Sequence, residues 1–263
     1  MTAATARRTR ADGVAETLKR RILGGSYAPG AKLPAEPALA EALGVHRFTV
    51  REALSQLEQM RLVERRPGSG TVVLDFASHA SVEVLEYLVL REDGTVAVEV
   101  LSDALEFARL VSTEIAGLAA ERRSSSDLAA LDVAVERLER ESNVGRLFWL
   151  DFELNWALAT AARNVVPRLL LNSVRELLAR HAPLLETLWT TPGTIAEGYV
   201  HVVAAVRARD AARARELVTW IWTSRRERFV EAAERFSLAR AARASQRPPP
   251  VEGAATTSDG PGL

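Results

Sequence analysis

Residues 36–59 constrain the fold of this chain most. Two helix-period runs, EPALAEAL and HRFTVREALSQLEQ, meet across Gly44 and Val45. In the second run Val50, Ala53, Leu54 and Leu57 recur at i, i+3, i+4 and i+7, which is one buried helix face. Gly44 ends the first run in a tight corner, and the next helix starts about two residues later. Pro37 is tolerated because it lies in the first helical turn, where a missing N–H costs nothing. Two short helices around a glycine corner form a helix-turn-helix. The polar side of the second helix carries Arg47, Thr49 and Arg51 near its start. An ordinary solvated face rarely gathers hydroxyls and arginines in its first turn. A groove-reading helix does, because base edges and phosphates offer mostly acceptors there.

The flanks extend the unit. VAETLKRRIL buries Val14, Leu18 and Ile22 on one face, and Gly24-Gly25 stops that helix. After the second helix, LVERR and TVVL bracket PGSG, where Gly68 and Gly70 permit the positive φ of a hairpin loop. Helix, helix-turn-helix and hairpin together make a winged helix. Arg65 and Arg66 stand at the approach to the wing, as phosphate or minor-groove contacts or as solvated strand ends.

Charge separates this unit from the rest. Residues 1–76 carry 12 Lys and Arg against 8 Asp and Glu, while residues 77–263 carry 22 against 26, so a neutral chain has a basic third. That asymmetry fits one domain meeting phosphates. The chain holds no cysteine, which excludes disulfides and thiolate metal sites and agrees with a cytoplasmic location. No apolar run reaches the roughly 18 residues of a membrane span, and MTAATARRTRADG lacks the apolar core of a secretory signal.

Residues 78–244 show almost no strand signal. Helices are expected at about 79–91, 96–123, 125–142, 146–162, 166–188, 193–208 and 210–243. Breaks fall at Glu92-Asp93-Gly94, at the N-cap run Ser124 to Asp127, at Asn143-Val144-Gly145, at Asn164 to Pro167 and at Thr191-Pro192-Gly193. No long repeat recurs, so a bundle is expected rather than a solenoid. The fold class is therefore mainly α: an N-terminal winged helix-turn-helix with a small β-hairpin wing, then an all-α bundle of six to seven helices. The divisions are a disordered arm (1–11), a winged helix (12–76), a linker helix region (77–95), a helical domain (96–244) and a disordered tail (245–263).

The run ILGGSYAPGAKLPAEPALAEALGVHRFTVREALSQLEQMRLVERRPGSGTVV resembles the DNA-binding domain of GntR-family bacterial transcription regulators, without a gap over residues 14–74. In that family the recognition helix begins with a hydroxyl residue, then arginine, then hydroxyl or small residues, then arginine. Arg47, Thr49 and Arg51 match, whereas His46 and Phe48 are bulkier than the family pattern. Pro37 stands where a basic residue is common. The resemblance implies DNA contacts from His46, Arg47, Phe48, Thr49, Arg51, Arg65, Arg66 and Gly68.

The segments ALEFARLVSTEIAGLAAERRSSSDLAALDVAVERLE, LDFELNWALATAARNVVPRLL and VVAAVRARDAARARELV are similar to the helical effector domain of the FadR subgroup, called FCD. That similarity implies a homodimer that binds a small-molecule effector and a pseudo-palindromic operator. Many such domains hold a metal through an Asp, a His four residues on and two later His. Here Asp151 matches, but Asn155, Tyr199 and Ile221 occupy the His positions, and His201 is two residues out of register. A carboxylate and an amide are a poor transition-metal site, so no metal cofactor is expected. Asp151, Asn155, Arg175 and Tyr199, with Trp156, Trp189, Trp220 and Trp222, are the candidate effector lining, though tryptophans at helical spacing equally serve as core. Ala108 replaces an arginine that meets carboxylate effectors in the subgroup, with Arg109 adjacent.

No nucleophile elbow, phosphate loop or zinc-protease motif is present, so no enzyme is expected. The expected function is a DNA-binding regulator, a repressor rather than an activator, with double-stranded DNA, a small-molecule effector and a second copy as partners and no membrane. A fatty acyl-CoA is one candidate effector. The alternatives are an architectural DNA-binding protein and a metal- or carboxylate-sensing relative.

Overall fold

The computed structural model describes residues 9–91, 93–182, 184–185 and 193–245. Residues 1–8 of the expected arm, Glu92, Trp189, Thr191-Pro192 and the tail beyond Ser245 lie outside the described residues.

The first unit holds α1 (Arg10–Leu23), α2 (Glu36–Leu43), α3 (Arg47–Gln59), β1 (Val63–Arg66) and β2 (Gly70–Val73). Helix α1 starts two residues earlier than the expected domain boundary. Thr9 accepts from the Asp12 amide and Asp12 answers the Thr9 amide, a reciprocal cap that draws Arg10 and Ala11 into the helix. Ala11 is buried, so the expected arm shrinks at its inner end. Gly44 has φ 62 and ψ 37, a left-handed corner that a side chain would strain. Val14, Leu18, Ile22, Leu39, Val50, Leu54, Leu57, Leu62, Val63 and Val73 close one core. The hairpin pairs Val63 with Val73 and Arg66 with Gly70. Lys32 bridges Val72 and widens it by one rung.

The expected helix over 79–91 is instead broken into α4 (Phe76–His79), a 3₁₀ turn (Val82–Val84) and α5 (Leu85–Val89). Asp75 caps α4 through the Ala77 amide, and the chain is extended at Ala80 and Ser81. Four and five residues are too few to sustain a helix without packing.

The helical domain comprises α6 (Val98–Arg122), α7 (Ser125–Arg140), α8 (Val144–Ala161), α9 (Val165–Arg180), α10 (Gly193–Ala208) and α11 (Ala211–Ser245). Asn143 and Asn164, expected to end helices, instead start them: their side chains accept from the Arg146 and Val166 amides. Val144 and Gly145 are therefore helical, and Pro167 sits in the first turn of α9. Helix α9 ends at Arg180, earlier than the periodicity suggested. Ile115, Ala119, Leu131, Leu138, Leu154, Leu158, Val202, Val206 and Val218 fill the bundle core. A smaller cluster around Val96, Leu101, Phe148 and Phe229 closes the end nearest the linker.

Candidate nucleic-acid interface and buried polar centre

The first site is the outer side of α3. The buried face of Val50, Ala53, Leu54 and Leu57 leaves Phe48, Glu52, Ser55 and Gln59 on the opposite side of the helix. His46, Arg47, Phe48 and Arg51 are exposed and Thr49 is half-buried. Phe48 is 70% exposed.

The three remaining arginines differ more than the sequence suggested. Arg51 Nη2 donates to Glu36 Oε2 at 2.9 Å, with Nε 3.3 Å from the same oxygen. The hydrogen bond from Arg51 holds the Glu36 carboxyl below its ordinary range, and Arg51 is correspondingly raised. Helix α2 thus orients the Arg51 fork, which keeps further N–H donors for a ligand. Arg65 turns onto α3: Nη2 donates to Ser55 Oγ at 2.6 Å and to the Arg51 carbonyl at 3.3 Å. Its role in the structure is to clamp the wing to α3. Arg66 belongs to the opposite face of the hairpin by strand alternation. There it pairs with Glu64 at 2.7 Å and shares a cleft of about 350 Å³ with Lys32 and Ser69. Gly68 turns the wing tip at φ 72.

The second site lies inside the bundle. Asp151 on α8, Asn155 one turn later, Tyr199 on α10 and Arg225 on α11 converge. Arg225 grips Asp151 with both terminal nitrogens, at 3.1 Å to Oδ2 and 2.6 Å to Oδ1. Asn155 Nδ2 donates to the Tyr199 hydroxyl at 2.8 Å and to the Asp151 carbonyl at 2.8 Å. Asp151 is 5% exposed, Arg225 6% and Tyr199 0%. Burial and the Asp151 charge push the Tyr199 phenol up, so it stays neutral. Burial works against the charge on Arg225, but Asp151 outweighs it and the guanidinium stays protonated. The Arg225 guanidinium stacks 4.4 Å from the Trp222 ring centroid. Trp222 Nε1 is buried and finds no hydrogen-bond partner among the described residues.

Sequence reasoning brought Asp151, Asn155 and Tyr199 together correctly in space but missed Arg225. The signal was available. Val218, Ile221, Arg225, Phe229 and Ala232 follow helical spacing, so an arginine interrupts an otherwise apolar stripe. Arg175 is a correction: it is exposed on α9, a helix whose buried residue is Pro167. Trp220 is 56% exposed and lines no interior, while Trp156 is half-buried. Ile221 is buried in the bundle beside Gly198. These residues do not fit a resident metal ion. Both Asp151 oxygens are occupied by a fixed cation, and an amide, a neutral phenol and an isoleucine stand where imidazoles would be needed.

A winged helix with an arginine-bearing outer helix, joined to a helical domain with a buried polar centre, defines a two-domain DNA-binding transcription regulator. Residues 10–73 match the family described as bacterial regulatory proteins, gntR family, and residues 103–223 match the FCD domain. The chain belongs to the gntR family and is a regulator, not an enzyme. It is 36% identical over 188 residues to the HTH-type transcriptional regulator Mce2R of Mycobacterium tuberculosis, covering 70% of this chain and 75% of that one. It is 32% identical over 201 residues to LutR of Bacillus subtilis, covering 73% and 89%. It is 32% identical over 168 residues to the fatty acid metabolism regulator protein of Pasteurella multocida, covering 63% and 67%. Among the described residues no helix is long and apolar enough to cross a membrane.

Proposed function

We propose that the protein is a repressor that binds a pseudo-palindromic operator as a homodimer and responds to a small molecule held in its helical domain. The observation that carries the DNA reading is the placement of Arg47, Phe48 and Arg51 on the open side of α3. Arg47 and the oriented Arg51 fork suit guanine edges. Phe48 offers an apolar surface to a thymine methyl, a contact that hydroxyl residues make less well. His46, Thr49, Arg66 and Lys32 suit backbone positioning. A duplex selected by the purified protein from a random pool gives the operator. Arg47→Ala should then lower affinity by about 1–3 kcal/mol, roughly 5- to 150-fold, in a gel shift. Equal binding by the variant would remove Arg47 from the interface.

The effector site is the polar centre: Asp151, Asn155, Tyr199 and Arg225, with the Trp222 indole N–H as a donor awaiting a partner. Buried donors without partners are rare. The Asp151–Arg225 pair neutralises the centre, which favours an amphipathic ligand over a small carboxylate. The relative named as a fatty acid metabolism regulator supports a fatty acyl-CoA. Thermal shift and operator release with a series of acyl-CoAs test this reading. The mutual bonding inside the same cluster favours a second reading, in which the helical domain only assembles the dimer. Operator affinity indifferent to every acyl-CoA would select it.

A further inference from the structure

The short helix α5 lies between the two domains and divides its consecutive side chains between them. Glu86 faces the helical domain: its Oε2 accepts from Arg180 Nε at 3.1 Å and lies 3.0 Å from His181 Nε2, both at the C-terminal end of α9. Tyr87 faces the winged helix: its hydroxyl donates to Glu16 Oε2 at 3.0 Å and accepts from Lys19 Nζ at 2.9 Å, both on α1. Lys19 also lies over the Tyr87 ring at 4.2 Å and Arg20 at 5.5 Å. Leu88 packs on the winged-helix core, and Val89 packs on the cluster of Val96, Phe148 and Phe229 in the helical domain. That last cluster also takes Leu178 from α9 and Leu184 and Leu185 from the chain beyond it.

Helix α1 is in turn rigidly coupled to the reading helix. Leu18 shares the buried core with Leu54 and Leu57, and Gln56 Nε2 donates to Asp12 Oδ1 at 2.9 Å. A packed core moves as a body rather than deforming continuously.

We infer that Glu86 and Tyr87 are positioning residues for DNA binding: α5 is a peg that sets the angle of α1, and with it α3, according to where the end of α9 stands. Neither residue needs to touch DNA. A shift of α9 against α8 pulls Glu86 through Arg180 and His181. Tyr87, the next residue on the same turn, carries the shift to Glu16 and Lys19. Helix α9 packs on α8, the helix that bears Asp151 and Asn155. The inference rests on the reading of the helical domain as the sensing domain, and it names the route by which that domain reaches the DNA.

Hydrogen–deuterium exchange on the full chain tests the peg without effector or DNA. Arg180→Ala with His181→Ala removes the α9 grip at two side chains that do not touch α1. Exchange in Arg10–Leu23 should quicken at least twofold. Tyr87→Phe should quicken it similarly, and the combined variant should add little to either. Faster exchange confined to residues 165–185 in the α9 variant overturns the peg. So does an additive combined effect. A second arm uses a duplex selected from a random pool by the wild-type protein. The α9 variant should bind it at least fivefold more weakly while its isolated half-site affinity stays within twofold; equal loss on both duplexes argues for simple destabilisation and against the peg. A wild-type protein that selects no sequence would sink the operator reading, while the exchange result still decides the peg.

Discussion

At the scale of single residues, the buried pair of Asp151 and Arg225 is the most consequential feature of the helical domain. Each ion sits where water cannot solvate it, so each depends on the other. Arg225→Met leaves an unpaired buried carboxylate and should cost about 3–5 kcal/mol in urea unfolding. Asp151→Leu combined with Arg225→Met should recover most of that loss, because an apolar pair of similar volume replaces both charges at once. If the double variant is as unstable as the single one, the pair is not an isolated charge couple but part of a wider network. On the DNA side, the residues at the start of α3 were legible in the sequence because their positions follow from helix period alone. The orientation of Arg65 was not. Adjacent strand residues face opposite ways, so only the hairpin register puts Arg65 on α3 and Arg66 behind the wing.

At the scale of elements, the helix-turn-helix depends on one backbone conformation. Gly44 sits at φ 62, where an L side chain is strained although there is open space for a Cβ. Gly44→Ala should therefore cost about 1 kcal/mol through backbone strain, without a packing clash. The check is urea denaturation with circular dichroism, and a variant as stable as wild type would show that the corner relaxes elsewhere. The start of α7 was readable from its capping residues, Ser124 with Asp127. The two asparagines misread as stops show the limit of that signal. Asn143 and Asn164 suit either end of a helix by propensity. Their side chains accept from the Arg146 and Val166 amides ahead of them, so here both open helices. The linker also departed from its pattern. Periodicity over 79–91 suggested one helix, yet the chain is extended at Ala80 and Ser81 and divides it.

At the scale of the whole molecule, carboxylates that are bonded in the fold set the acid limit. Burial raises the Glu16 carboxyl, but Lys19, the Tyr87 hydroxyl and Arg20 pull it further down, so it ends below its ordinary value. Asp127 is lowered by the backbone and side-chain hydrogen bonds of Ser124 and by Arg163. Groups with depressed folded values bind protons more readily when unfolded. Their contribution is fully present above their ordinary carboxylate range, near pH 4, and is lost as pH falls through the lower folded values. Melting temperature should therefore be flat above about pH 5 and fall below about pH 4. Glu16→Gln should blunt the acid fall in the winged helix, and an unchanged profile in that variant would remove Glu16 from the linkage.

The sequence alone determined the winged helix and the helical class of the remainder, and it singled out α3 as the candidate reading helix. These rest on local causes: apolar period, a glycine corner and caps within four residues of each other. Only the tertiary structure decided how Arg225 reaches Asp151, 74 residues away, and why Tyr199 and Asn155 bond to each other rather than to an ion. It also decided that α5 holds both domains at once. No local pattern encodes such pairings. They depend on which helix faces which, and that is settled by burying the apolar faces together.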